Sequence, residues 1–259
     1  MEVTLMNLIA IDEEKCKRDG ICAAECPLSL ISPPDKIKLP SERENAEELC
    51  VRCGHCVAVC PHGALSLRSM NSKDCPPVDE KMRPGAKQVD YFLRSRRSVR
   101  VYKDKPVSRE TITRIIDTAR YAPSGHNNQL TEWLVIYDKD DVQKYASMVI
   151  DWIKFAIKEY PELAAAYHFD LLVKAWDEGN DRICRNAPHV IVAHGPEQNM
   201  AIQTTCTIAL TYLELAASSM KLGACWAGYF YRAAANWPPL KQALGIPEGN
   251  GVFGAMLLG

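Results

Sequence analysis

The residues best equipped for chemistry in this 259-residue chain are its cysteines, 11 in all, most of them crowded between Cys16 and Cys60. The densest run is Cys50-Val-Arg-Cys53-Gly-His-Cys56-Val-Ala-Val-Cys60-Pro61, a CxxCxxCxxxCP spacing. Three thiolates at successive three-residue intervals can wrap a loop around three corners of an iron–sulfur cubane, while the fourth, opening a short helix, points away from it. Gly54 lets the loop backbone approach the sulfides and aim N–H groups at them. Upstream, Cys16-Lys-Arg-Asp19-Gly-Ile-Cys22-Ala-Ala-Glu-Cys26-Pro27 has the same length and the same terminal Cys-Pro, with Asp19 where the second cysteine would stand. In a reducing compartment such a cluster points to metal. Structural zinc is the rival, but zinc sites use two separated CxxC knuckles and four ligands, and these two runs overshoot that need.

The two runs, with Cys16 and Cys50 34 residues apart, are an internal repeat. Over roughly residues 8–70 the pattern resembles the bacterial two-cluster ferredoxins, with apolar strand-like segments at Leu8–Ile11 and Ala64–Leu67 in the expected flanks. That resemblance implies cross-ligation. One cluster, a four-iron one, would be held by Cys50, Cys53, Cys56 and Cys26, and the other by Cys16, Cys22 and Cys60 with Asp19 as its fourth ligand. A carboxylate holds iron less firmly than a thiolate, so the second site is either an Asp-ligated four-iron cluster or a three-iron one. His55 and His62 lie beside the second run and are read as solvated, with hydrogen bonding as the rival reading.

A second set of candidate residues begins at Arg94-Ser95-Arg96-Arg97-Ser98-Val99-Arg100-Val101-Tyr102. Guanidiniums bind phosphate oxygens bidentately and serine adds a hydroxyl bond, so a phosphorylated ligand such as flavin mononucleotide suits the segment. On its own an RxRR string is more often a solvated basic face. Some 25 residues later comes Tyr121-Ala-Pro123-Ser124-Gly125-His126-Asn127-Asn128-Gln129. Together with Asp181–His194 (DRICRNAPHVIVAH) and Gly223-Ala-Cys225-Trp226-Ala227-Gly228, these segments resemble the nitroreductase family over about residues 88–259. Iron–sulfur domains fused in front of this fold are a known variant of that family.

The resemblance implies an FMN enzyme and a homodimer with flavins at the interface. Arg96, Arg97 and Ser98 would contact the phosphate and ribityl chain, and Arg100 would sit near the N1/C2=O edge, where negative charge develops on reduction. Pro123, Ser124, Asn127 and Gln129 would belong to the cofactor site, the two amides offered to the ring or ribityl hydroxyls from the partner subunit. Trp226, Ala227 and Gly228 would pass one ring face with a backbone N–H near N5, core packing being the rival reading for Trp226. His126 is a candidate proton donor; no side chain need be a nucleophile. Leu130 replaces the proline usual after the loop glutamine. Relatives usually continue beyond Met256-Leu-Leu-Gly259 with a basic tail that also grips the phosphate, so either the sequence is truncated or the Arg96/Arg97 side holds the phosphate with less help.

Positioning these residues calls for an α+β fold: a small ferredoxin-like two-cluster domain over residues 1–70, a linker over 71–87 marked by Pro76, Pro77, Pro84 and Gly85, and a nitroreductase-like sheet covered by helices over 88–259. Helical spacing predicts a helix after Ser108, another through Val142–Ile153, one from Glu162 to about Trp176 and a long one from Gln198 to Lys221. Strands are expected at Trp133–Tyr137, Val190–Ala193, Ala224–Phe230 and Val252–Leu258. Cys184, Cys206 and Cys225 read as buried small hydrophobes, and Cys75 as a lone linker thiol. The aromatic stripe from Trp152 to Trp176 is read as helix packing, with a lid over a substrate pocket as its rival.

The formal charge of −1 gives no hint of a nucleic-acid partner. Residues 1–12 carry Glu2 and no basic residue before the apolar stretch, so no leader is read, and no membrane span either; a cytoplasmic location follows as the expectation. The function expected is transfer of electrons from the clusters to FMN and on to a small organic acceptor: a nitro compound, a quinone or an activated alkene. The donor would be a reduced ferredoxin-like carrier or NAD(P)H. The non-enzyme rival is an electron-transfer or redox-sensing protein without a substrate of its own.

Overall fold

The computed structural model describes residues 7–259. Residues 1–6, on which part of the no-leader reading rests, lie outside the described residues. The chain divides into two compact units, one running to Gly85 and taking in His126–Asn128, the other made of Ala86–Gly125 and Gln129–Gly259.

In the first unit, β1 (Ile9–Ile11), α1 (Ile21–Glu25), β2 (Ile31–Ser32), β3 (Ser41–Glu42), α2 (Ala46–Leu49), α3 (His55–Ala58) and β4 (Leu65–Leu67) follow one another. β1 pairs antiparallel with β4, Ile9 opposite Leu67, and β2 pairs with β3. The core is thin: Leu8, Ile9, Leu30, Ile31, Leu65 and Leu67 pack with Cys22 and Cys56. A unit this small buries too little apolar surface to be comfortable alone, which is the usual reason for a metal or disulfide staple. The β2–β3 ribbon was not legible in the sequence because each strand is two residues long.

The second unit opens with α4 (Ala86–Ser95) and α5 (Arg109–Ala119), the latter capped by Ser108, whose hydroxyl accepts from the Thr111 N–H at 3.2 Å. Then come β5 (Glu132–Ile136), α6 (Lys139–Glu159), α7 (Pro161–Ala166), α8 (Phe169–Asp177), β6 (His189–Pro196), α9 (Ile202–Ser219), β7 (Ala224–Trp226), α10 (Gly228–Asn236), α11 (Pro238–Ala243) and β8 (Asn250–Leu258). The sheet runs β5-β6-β8-β7 with every pair antiparallel. Along β6 and β8 alternate residues feed two cores. Val190, Val192, Ala255 and Leu257 pack with α6, α8, α10 and α11. Ile191, Ala193, Met256 and Leu258 pack with α5 and α9. Both faces being covered, these strands read as continuous apolar runs rather than as alternating ones. Among the described residues no helix is long and apolar enough to cross a membrane.

Three expectations need correction. The strand expected over Ala224–Phe230 ends at Trp226: the Ala227 N–H still reaches Ala255 O at 2.9 Å, but Ala227 O accepts from the Tyr231 N–H at 2.8 Å, the first bond of α10. Aromatic residues in Tyr229-Phe-Tyr231 favour strands as well as buried helices, and this misled the pattern. The helix from Glu162 to Trp176 is broken at Tyr167–His168, where His168 takes a left-handed φ of 52° and lets Phe169 drop into the core. The long helix starts at Ile202 rather than Gln198, after a turn in which the Asn199 side chain accepts from the Ala201 N–H at 2.9 Å.

His189, fully buried at the start of β6, joins three segments. Its Nε2 accepts from the Val107 N–H at 2.8 Å, so Nδ1 carries the proton and donates to Tyr137 O at 2.7 Å. Burial holds its pKa below the ordinary 6.5. The folded state therefore binds this proton less readily than the unfolded chain, and the stability the histidine contributes is full above about pH 6.5 and is lost as the pH falls below it. Thermal unfolding should show a midpoint falling between pH 7.5 and pH 5.5. His189→Gln should lower the midpoint at pH 7.5 by an amount equivalent to about 2 kcal/mol and flatten that fall; an unchanged pH dependence would remove His189 from the account.

Candidate functional site

The cysteine runs fold as two copies of one turn. Arg18 and Arg52 both take left-handed φ, 57° and 51°, as do Gly20 and Gly54 at 75° and 74°, and Ser29 and Gly63 at 54° and 56°. Each glycine precedes a short helix, α1 or α3. At the end of each run a backbone N–H points at the cysteine four residues back: Leu30 to Cys26 Sγ and Ala64 to Cys60 Sγ, both at 3.3 Å. Such N–H···S bonds stabilise a thiolate, charged or metal-bound.

The candidate ligands sort into two cavities. Cys26, Cys50, Cys53 and Cys56 line one together with Leu8, Leu30, Ile31 and Leu67. Cys16, Asp19, Cys22 and Cys60 line another with Ile11, Pro40, His62 and Leu65. The electrostatic couplings divide the same way. Burial first, then Cys53, Cys26 and Cys50, push the Cys56 thiol up to about 11. Burial, offset in part by the Ala23 N–H and reinforced by Cys60, Asp19 and Cys16, raises Cys22. Thiols held protonated in this way would release protons on binding metal as thiolates. Among the described residues no three Cys, His, Asp or Glu side chains converge closely enough to hold one metal ion. Ligands spread around a cavity suit a polynuclear cluster, whereas zinc draws four ligands to one point about 2.3 Å from each sulfur. The residues present therefore fit iron–sulfur clusters.

Asp19 faces its cavity with Oδ1 accepting from the Ile21 N–H at 3.2 Å, and His62 Nε2 stands 3.7 Å from Oδ2. His62, read from sequence as solvated, is thus a neighbour of the one carboxylate in the set. His55 lies 3.9 Å from Glu25.

In the second unit the arginine-rich segment leaves α4 and runs along the free side of β7. The Val99 N–H donates to Ala224 O at 2.9 Å, and a Cβ on Gly223 would meet Val99 at 2.6 Å, so only glycine admits this approach. Tyr102 OH donates to Val99 O at 2.7 Å. Arg96 donates from Nη1 to Glu214 Oε1 at 2.7 Å. Glu214 is a buried carboxylate in the largely apolar α9, and no motif in the sequence pairs it with an arginine. Arg97 and Arg100 are exposed and Ser98 is partly buried. Trp226 is 38% exposed at the end of β7, which sets aside the reading of it as a core residue. Gly228 has open space beside it, since an added Cβ would meet nothing within 4 Å. A cationic segment, an exposed indole and a bare helix start along one strand edge fit a flavin phosphate and ring.

The Pro123–Gln129 loop lies apart from these. Ser124 Oγ accepts from the Gln129 N–H at 3.0 Å, and both residues line a cavity with Arg120, Thr131, Trp133 and Thr205. None of Arg96–Arg100 or Trp226–Gly228 lines it. His126, Asn127 and Gln129 hold left-handed φ of 50°, 53° and 48°, each a cost of about 1 kcal/mol for a side-chain-bearing residue. Within the first unit, the Asn127 amide donates to the carbonyls of Val51 and Arg52 at 3.3 and 3.2 Å.

The left-handed glycines make a test. A Cβ at Gly54 would meet Met70 Sδ at 2.7 Å, whereas one at Gly20 finds only Pro34 at 3.6 Å. Both alanine variants pay the same backbone strain, about 1 kcal/mol. The Met70 thioether ends a flexible, 36% exposed side chain and can turn aside, so Gly54→Ala and Gly20→Ala should lose bound iron and sulfide to a similar extent on anaerobic purification; a markedly larger loss in Gly54→Ala would show that Met70 is held in place.

Residues 93–259 match the family model described as the Nitroreductase family, and residues 14–65 match that of a 4Fe-4S dicluster domain. The chain is 26% identical over 173 residues to an Archaeoglobus fulgidus protein named as a candidate NADH dehydrogenase/NAD(P)H nitroreductase, covering 65% of this chain and 82% of that one. A solved nitroreductase with bound FMN from Desulfitobacterium hafniense aligns with TM-score 0.53 at 27% identity, over 65% of this chain and 86% of that one. A Bacteroides fragilis nitroreductase with bound FMN has the same fold, with TM-score 0.55 at 20% identity over 66% and 87% of the two chains. With the family model spanning most of the second unit and the paired thiol sets in front of it, the chain is an oxidoreductase that belongs to the nitroreductase family and carries an N-terminal 4Fe-4S dicluster ferredoxin domain.

Proposed function

We propose that this protein passes electrons from two iron–sulfur clusters to FMN and on to a small organic acceptor, a nitro compound, a quinone or an activated alkene. The observation that carries the reading is the division of the candidate cluster ligands into two cavities with none left over. Solved relatives that hold FMN support the flavin, and the cationic segment beside β7 supplies a place for it. Bound FMN would supply the exchange between one-electron intake and two-electron delivery.

The chain's own residues supply binding and charge. Arg100, exposed and without an ion pair among the described residues, is free to face the N1 edge of the ring. The Ala227 N–H is already bonded to Ala255 O, so a donor to N5 would come from Gly228, whose N–H is among those a helix start leaves without an internal partner. Ser124 and Gln129 line a cavity separate from these groups within one chain, which favours a homodimer in which they serve the partner's flavin. The donor is a reduced ferredoxin-like carrier or NAD(P)H, and the location is the cytoplasm. His126, exposed on its strained turn, remains the candidate proton donor.

Cys56→Ser removes one ligand of the first set. With a one-electron donor, anaerobic reduction of a nitroaromatic by this variant should fall about tenfold or more while FMN content stays at the wild-type level. An undiminished rate would contradict passage through that cluster.

A further inference from the structure

The two cysteine turns share their backbone, with Arg18 and Arg52 at matching left-handed positions, but one side chain from far along the sequence sets them apart. The carbonyls of Val51 and Arg52, which lie between Cys50 and Cys53, accept from Asn127 Nδ2 at 3.3 and 3.2 Å. Among the described residues no side chain donates to the corresponding carbonyls of Lys17 and Arg18. His126–Asn128 group with the first unit, in a turn where His126, Asn127 and Gln129 all hold positive φ. Strain of this kind persists where the surroundings over-determine it, and the two bonds to the cysteine loop are what Asn127 gains from it.

We propose that Asn127 is not a flavin ligand but the positioning residue of the Cys50–Cys53 loop, and that by clamping Val51 and Arg52 it raises the reduction potential of the cluster at Cys26, Cys50, Cys53 and Cys56. The inference rests on the iron–sulfur reading above. In a planar trans peptide the C=O and the following N–H point in opposite directions. Holding the Val51 and Arg52 carbonyls toward Asn127 therefore turns the N–H groups of Arg52 and Cys53 the other way. Neither of those N–H groups donates to a protein acceptor among the described residues. Donors without a protein partner suit the sulfurs of a cluster, and hydrogen bonds to those sulfurs favour the reduced, more negative state. The Asn127 amide also turns the positive end of its own dipole toward the loop, an effect of the same sign. A flavin would need this amide nitrogen free, whereas two carbonyls already draw on it. Asparagine suits the post because it enters the left-handed region more readily than other side-chain-bearing residues.

Asn127→Gly removes the amide and puts in its place the residue that takes a left-handed turn without strain. Asn128→Gly, at the exposed neighbour, loosens the same turn and leaves the amide in place. Redox titration of the anaerobically purified full-length holoprotein, followed by electron paramagnetic resonance, reads the two clusters separately. In Asn127→Gly the equilibrium constant for reducing the four-cysteine cluster should fall about threefold or more, a shift of about 30 mV at about 59 mV per tenfold for one electron. The cluster beside Asp19 should keep its potential. The dissociation constant for FMN, from quenching of flavin fluorescence by the deflavinated protein with its clusters retained, should stay within about twofold of the wild type. Asn128→Gly should match the wild type on all three counts. Selective loss of the four-cysteine cluster from Asn127→Gly, with the other retained, also supports the proposal. An unchanged potential, an equal shift in Asn128→Gly, loss of both clusters together or an FMN affinity lowered about tenfold overturns it. Wild-type protein that binds no iron overturns the cluster reading as well.

Discussion

The second unit depends on the burial of β6 and β8 on both faces. With helices packed above and below, these two strands have no side left for chemistry, and the reactive residues are displaced to the ends and edges of the sheet. β7 is the short edge strand that results. It is paired with β8 on one side and on the other accepts the Arg96–Tyr102 segment through the Val99–Ala224 bond. Burying β8 thus fixes Trp226 and Gly228 at the place where β7 turns into α10, and fixes the cationic segment beside them. A carboxylate in α9 is tolerated in this apolar setting because Arg96 meets it.

The first unit answers a different constraint. Its hydrophobic core is small, and its loops hold left-handed turns at Arg18, Gly20, Arg52 and Gly54 that bring the thiols and Asp19 around two cavities. Those turns cost conformational energy, and thiols such as Cys56 are held above their ordinary pKa by burial and by one another. The cost of the turns is offset when metal binds among the thiols and replaces their protons. The unit is built to hold inorganic clusters, and its folding and its chemistry are one problem.

Much of this was legible in the sequence. The repeat from Cys16 to Cys50 marked the two thiol runs and the apolar flanks that form β1 and β4, while the assignment of ligands to clusters was implied by the resemblance to two-cluster ferredoxins. Ser108 marked the start of α5, and Ile112, Ile115 and Ala119 marked its buried face. What escaped notice depends on partners distant in the chain. Nothing local to Glu214 says that an arginine 118 residues away will meet it. The break at His168 and the short length of β7 are likewise decided by where Phe169 and Phe230 find room in the core, which no local pattern records.

The central claim, clusters feeding a flavin, is tested most directly by composition. Full-length protein purified without oxygen should contain about one FMN per chain, with iron and acid-labile sulfide in cluster proportions: about eight irons if Asp19 holds a fourth iron and about seven if it does not. Protein that carries zinc in place of iron, or clusters with no flavin, would contradict the account.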